Sequence, residues 1–151
     1  MICSLNIQGY IWYQHVHKGV DEAGVEFVDG IIAQIDCYHG GKSGYENFEC
    51  IAEGRVAQFI YNTMPMEFDT QGKPIKKNPF QVVATLSRTT RYLPKKKVYK
   101  RYWQIEHITR VFNYRGEIAE ITGIDKDALF DEATTLDNNI ENMKGDNDWE
   151  V

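Results

Sequence analysis

FQVVATLSRTTRYLPKKKVYKRYWQIEHITRVF, residues 80–112, is the stretch from which the architecture can be worked out. Its opening, FQVVATLSR (80–88), is rich in β-branched residues and predicts a strand. TTRYLPKKK (89–97) holds a proline and a lysine run and reads as a basic loop. VYKRYWQIEHITRVF (98–112) then alternates with a period of two. Tyr99, Arg101, Trp103, Ile105, His107 and Thr109 fall on one face; Lys100, Tyr102, Gln104, Glu106 and Ile108 fall on the other. Two strands flanking a cationic loop make a basic hairpin.

Upstream, the same periodicity recurs. SLNIQGYIWYQHV (4–16) predicts a long first strand, bent or bulged at Gly9. HKGVDEAGVE (17–26) is charged and glycine-bearing, hence a loop. VEFVDGIIAQIDCY (25–38) predicts a second strand with Ile31, Ala33, Ile35 and Cys37 on one face. HGGKSG (39–44) is a turn and YENFECIA (45–52) a third strand. In EGRVAQFIYN (53–62), Val56, Phe59 and Ile60 have helical spacing, and the proline-rich 63–79 is a connector. Five strands with a short helix between the third and the fourth is the order of an OB-fold, a mainly β, five-stranded Greek-key barrel. In that fold the second and third strands and the L12 and L45 loops (here 17–24 and 89–97) form the binding face.

Past Arg115 the composition turns acidic. The expected organisation is a barrel domain over 1–115, an acidic extension over 116–136 with room for a short helix, and a disordered acidic tail over 137–151. The chain has 151 residues and a net charge of −5, which by itself argues against a polyanionic ligand. The distribution argues the other way. Residues 73–115 hold 12 Lys/Arg against the single acid Glu106, and local fields, rather than totals, attract polyanions.

Within that block Arg88, Arg91, Lys95, Lys96, Lys97, Lys100 and Arg101 interleave with Tyr92, Tyr99, Tyr102 and Trp103. Cations neutralise phosphates, and aromatic faces stack on bases that are already unpaired, so the combination points to single strands. Tyr10, Trp12 and Lys18 of the first strand extend the candidate surface. Alternation buries one face of any such strand, so only half of the aromatics can meet a ligand. His15 and His17 share a face, yet no third ligand follows from spacing, and no metal or cofactor is expected. Cys3, Cys37 and Cys50 are odd in number and widely spaced, as reduced thiols of the cytoplasm are. No P-loop, GxSxG, HExxH or GxGxxG motif is present, so no enzyme is expected. A metal-dependent nuclease built on Asp29, Asp36, Glu46 and Glu49 is the enzymatic alternative. No apolar run is long enough for a membrane span, and MICSLNIQGY lacks the pattern of a secretion signal. Asp146, Asp148, Trp149, Glu150 and Val151 close the sequence as one large apolar anchor among charges, suited to a basic-rimmed pocket on a partner or to folding back over the protein's own binding surface.

The glycine-bent first strand, the long second strand, the basic-aromatic last hairpin and the acidic tip resemble single-stranded DNA-binding proteins of the bacterial and phage type. More narrowly, GYI at 9–11, DGIIAQIDCYHG at 29–40, YENFECIAEG at 45–54 and YWQIEHI at 102–108 are similar to the single-stranded-DNA-binding-like replication family of phages and integrative conjugative elements. The similarity spans roughly residues 5–112. It implies an OB-fold that wraps single-stranded DNA during replication or recombination in a bacterial host cell. It also implies an acidic C-terminus that recruits replication and repair proteins. Bacterial members close with Ile-Pro-Phe after a long Gly/Gln/Pro linker; this chain closes with Trp149, Glu150 and Val151 and has no such linker. Relatives of this kind include tetramers, dimers and monomers, so a homo-oligomer stays open. RNA stays open as well, because stacking and phosphate contacts do not report the 2′-hydroxyl. The alternative from another class is a protein-interaction OB domain, a phage inhibitor or adaptor whose basic patch grips an acidic host protein.

Overall fold

A computed structural model describes residues 4–38, 44–75, 77 and 79–120. Six strands and one helix follow in the order β1 (Ser4–Val20), β2 (Glu26–Tyr38), β3 (Tyr45–Glu53), α1 (Gly54–Thr63), β4 (Phe80–Leu93), β5 (Val98–Asn113) and β6 (Gly116–Glu120). The sheet runs β3-β2-β1-β4-β5, and β5 closes it against β3 through the parallel pairs Cys50↔Trp103 and Ile51↔Gln104. The result is a closed five-stranded barrel with one short helix between its third and fourth strands, an OB-like architecture.

β1 serves both halves of the barrel. Residues Ser4–Ile11 pair with β4, and Tyr10–Val20 pair with β2. Gly9 sits where the strand changes partner, and a Cβ there would lie 2.6 Å from the Asp36 carbonyl oxygen. The close approach, more than any freedom of φ, explains the glycine.

The interior is filled by Ile7, Ile11, Tyr13, Ile31, Ile35, Cys50, Val82, Leu86, Ile105, Ile108 and Val111, with Ala57, Ile60 and Met64 of α1 and its C-cap closing one end. Cutting one of the fully buried aliphatics, such as Ile35 or Leu86, back to alanine costs about 2–5 kcal/mol. Inside, the Tyr13 hydroxyl donates to the Met64 carbonyl at 2.8 Å, and burial pushes its pKa up to about 12.

The structure corrects several local expectations. β1 runs on to Val20, so the first loop shrinks to a turn over 21–25, where Asp21 Oδ1 accepts from the Ala23 and Val25 amides (2.9 and 2.8 Å). β4 runs on to Leu93, which makes Arg91 and Tyr92 strand residues and leaves only Pro94–Lys97 as the turn. Strict alternation in β5 fails because Glu106 and Thr109 are extra residues with no register position opposite them on β4. Two bulges bring Ile105, Ile108 and Val111, three residues apart, into one core. Beyond residue 115 the sheet gains β6, held on β5 with an Arg110–Glu117 ion pair. The rest of the acidic extension, with the short helix expected over 124–136, and the tail residues Asp146, Asp148, Trp149, Glu150 and Val151 lie outside the described residues.

Candidate nucleic-acid interface

On β1 the two aromatic sets separate cleanly. Ile11 and Tyr13 point into the core, so Tyr10 and Trp12 lie on the outer face of the barrel. The Trp12 indole N–H donates to Asp36 Oδ2 (3.1 Å), and Gln34 Nε2 donates to the other Asp36 oxygen (2.7 Å). Clefts of about 290 and 280 Å³ flank this indole.

Tyr10 continues into a chain of rings that the sequence reading did not single out. Tyr10 meets Tyr45 at 6.2 Å between centroids, and Tyr45 meets Tyr38 at 5.3 Å. Tyr38 and Tyr45 pair across the end of the β2–β3 hairpin and are both exposed. The signal was available: β2 alternation puts Tyr38 on the outer side with Gln34 and Asp36, and the antiparallel pairing of β2 with β3 places Tyr45 beside it.

The β4–β5 hairpin presents its residues on two opposed faces. On one lie Thr89, Arg91, Leu93, Lys100 and Tyr102; on the other lie Arg88, Thr90, Tyr92, Tyr99, Arg101 and Trp103. The first face is docked. Leu93 and Tyr102 form a second buried cluster with Ile32 and Ile51, which project outward from β2 and β3. Arg91 pairs with Glu53 and also donates to Thr89, while Lys100 pairs with Glu49 at 2.6 Å. The parallel register at Cys50↔Trp103 would set Lys100 beside Asn47 and its partner Arg91 farther out. Arg91 instead reaches Glu53 at the far end of β3, so the hairpin lies obliquely across the outer face. The hydrogen bond from Lys100 to Glu49 raises the lysine's pKa above its ordinary value.

The second face is open. Tyr92 and Tyr99 touch at 5.0 Å between centroids and are 49% and 76% exposed. Arg101 and Arg88 are exposed beside them, and the Arg88 guanidinium lies 4.6 Å above the Trp103 ring. Trp103 is half-buried; it packs edge-on against Phe48 and against the core, so it is a wall of the surface more than a free platform. Lys95, Lys96 and Lys97 are exposed in the turn, with Lys97 at a φ of 54°, a left-handed residue closing the hairpin.

Of the sequence-predicted residues, the structure therefore gathers Arg88, Tyr92, Lys95, Lys96, Lys97, Tyr99, Arg101 and Trp103 on the open side of the hairpin and its tip. Arg91 and Lys100 belong to the docked side. Tyr10 and Trp12 lie on the barrel's outer face. Lys18 is apart from these: its ammonium pairs with Glu26 at 3.2 Å and sits 5.2 Å over the Tyr61 ring of α1.

Two of the remaining candidates, His17 and Asp29, partner each other, while His15 Nε2 is buried without a hydrogen-bond partner among the described residues. His17 Nδ1 bonds to Asp29, a buried carboxylate at a bulge of β2. Among the described residues no group of three or more His, Cys, Asp or Glu is placed to hold a metal ion. Burial pushes both the Cys37 and the Cys50 thiols above their ordinary range, which disfavours the reactive thiolate. No described helix is long and apolar enough to cross a membrane. No protein-family model and no curated protein matches this sequence.

Proposed function

We propose that this chain is an OB-fold protein that binds single-stranded DNA without strong sequence preference and performs no catalytic step of its own. It would protect exposed strands during replication or recombination in a bacterial host cell, while its acidic C-terminus engages partner proteins. One observation carries the reading: the open face of the β4–β5 hairpin sets a pair of exposed tyrosine rings beside Arg88, Arg101 and the lysine turn. Rings that stay exposed in the folded protein contribute little to its stability, whereas a base stacked on an aromatic ring contributes about 1–3 kcal/mol to binding. Unpaired bases are required for that contact, and the neighbouring cations suit the phosphates between them. The sequence resemblance described above points the same way.

Fluorescence anisotropy with labelled oligo-dT, a duplex of equal length and a poly-U strand, each at two salt concentrations without divalent metal, tests the proposal. Tight, salt-sensitive binding of dT over duplex is the expected result. Equal affinity for poly-U would extend the ligand to RNA. Absence of single-strand binding would leave the hairpin to a protein partner, and strand cleavage on adding magnesium would favour the nuclease alternative.

A further inference from the structure

Two of the hairpin's cations are held by carboxylates of β3, and the two pairs differ in setting. Arg91 and Glu53 are both largely withdrawn from water, with side chains 26% and 22% exposed. They flank the apolar contact of Ile32, Ile51, Leu93 and Tyr102, and Arg91 is further fixed by Thr89. Lys100 and Glu49 lie at the rim, 43% and 50% exposed. Half-buried ion pairs tie elements together, because removing one partner leaves the other charge poorly solvated. Exposed pairs are worth little and exchange readily with other ions.

We infer that Glu53 and Glu49 have opposite roles toward a polyanion on the hairpin. Glu53 is a positioning residue that latches the hairpin through Arg91 and so presents the Tyr92–Tyr99 face rigidly. Glu49 is an affinity-setting residue that occupies Lys100 until a phosphate takes its place. The apolar contact keeps the hairpin docked in both states, so the phosphate exchanges with one rim carboxylate and no strand moves. The inference rests on the single-strand reading above, and it makes two chemically identical substitutions, four residues apart on one strand, differ in sign.

Glu49→Gln frees one cation. One added phosphate contact steepens the salt dependence by about 0.7 for a single strand, equivalent to about fivefold tighter binding at 0.1 M salt than a 1 M reference would show. Glu53→Gln loosens the latch and is expected to weaken oligo-dT binding about threefold or more, since a mobile platform must be ordered at the moment of binding. Hydrogen exchange of residues 89–102 without ligand provides a readout independent of affinity. Protection should fall in Glu53→Gln and stay at the wild-type level in Glu49→Gln. Opposite signs in anisotropy, together with that exchange difference, support the assignment. If both variants tighten equally, only the general field of the removed charges is at work and the assignment is overturned. Unchanged affinity in Glu49→Gln overturns the role of Glu49, and equal protection in the two variants overturns the latch. A wild-type protein that binds no single strand would instead defeat the single-strand reading, while the exchange comparison would still decide the latch.

Discussion

Tyr99→Ala removes the most exposed aromatic of the hairpin, a residue 76% accessible whose ring meets that of Tyr92 at 5.0 Å. In the free protein little should change. An aromatic pair contributes about 0.5–1.5 kcal/mol, and a ring this exposed belongs at or below the low end. A loss of about 0.5 kcal/mol moves the melting temperature of a chain this size by about 1–2 °C. Binding is another matter. A stacked base is worth about 1–3 kcal/mol, so the affinity for oligo-dT should fall about 5- to 150-fold. Because no charge is removed, the slope of log K against log salt should stay where it is. The turn variant with Lys95, Lys96 and Lys97 all changed to alanine should behave in the complementary way. At about 0.7 per phosphate, its slope should flatten by up to about 2, with the tyrosine contacts intact. Anisotropy titrations over a salt series, with melting curves for each variant, separate the two contributions. Wild-type affinity in Tyr99→Ala would refute the stacking role of the open face. A melting point lowered by many degrees would show that the ring is structural after all.

Gly9→Ala should destabilise the barrel by about 1–3 kcal/mol in denaturant melts, since its methyl would meet the Asp36 carbonyl at 2.6 Å where β1 changes partner. Tyr13→Phe should cost about 1–3 kcal/mol at neutral pH by leaving the buried Met64 carbonyl without its donor. For the wild type, burial raises the Tyr13 pKa from 10.0 to about 12. A raised folded value means the contribution is complete below pH 10 and is lost as the pH climbs toward about 12, so tyrosinate absorbance should show an alkaline step that the Phe variant lacks. Cys50, fully buried with its thiol pushed up, should resist alkylation in the native protein and be modified only once denaturant unfolds it, as peptide mass spectrometry would record.

Much of the barrel is legible in the sequence because each strand keeps one face in the core, and a period of two survives wherever pairing is regular. Ile31, Ala33 and Ile35 of β2 show this. The pattern fails where pairing is irregular. Nothing in QIEHITRV announces that Glu106 and Thr109 are bulged, yet those two residues decide that Ile108 and Val111 join Ile105 inside. β6 is short and charged, and it is a strand only because β5 offers an edge to it. The charge run of the hairpin was plain, but its division was not. The carboxylate partners of Arg91 and Lys100 lie on β3, far back along the chain, and which cations they claim depends on the oblique crossing of the hairpin.

That crossing is also what turns an ambiguous strand into a candidate site. A basic, aromatic segment with a period of two offers cations and rings on both of its faces, and in isolation neither has a better title to a ligand. The outer face of β3 breaks the symmetry. It carries Ile51 between Glu49 and Glu53, an apolar centre between two acids, and the hairpin face with Tyr102 and Leu93 between Lys100 and Arg91 is its complement. Folding satisfies most of that face within the molecule and leaves the Lys100–Glu49 pair exposed at its rim. The opposite face keeps Tyr92 and Tyr99 in water. The acids of β3 thus select which half of the hairpin becomes structure, and by that selection leave exposed the half on which the proposed single-strand ligand would stack.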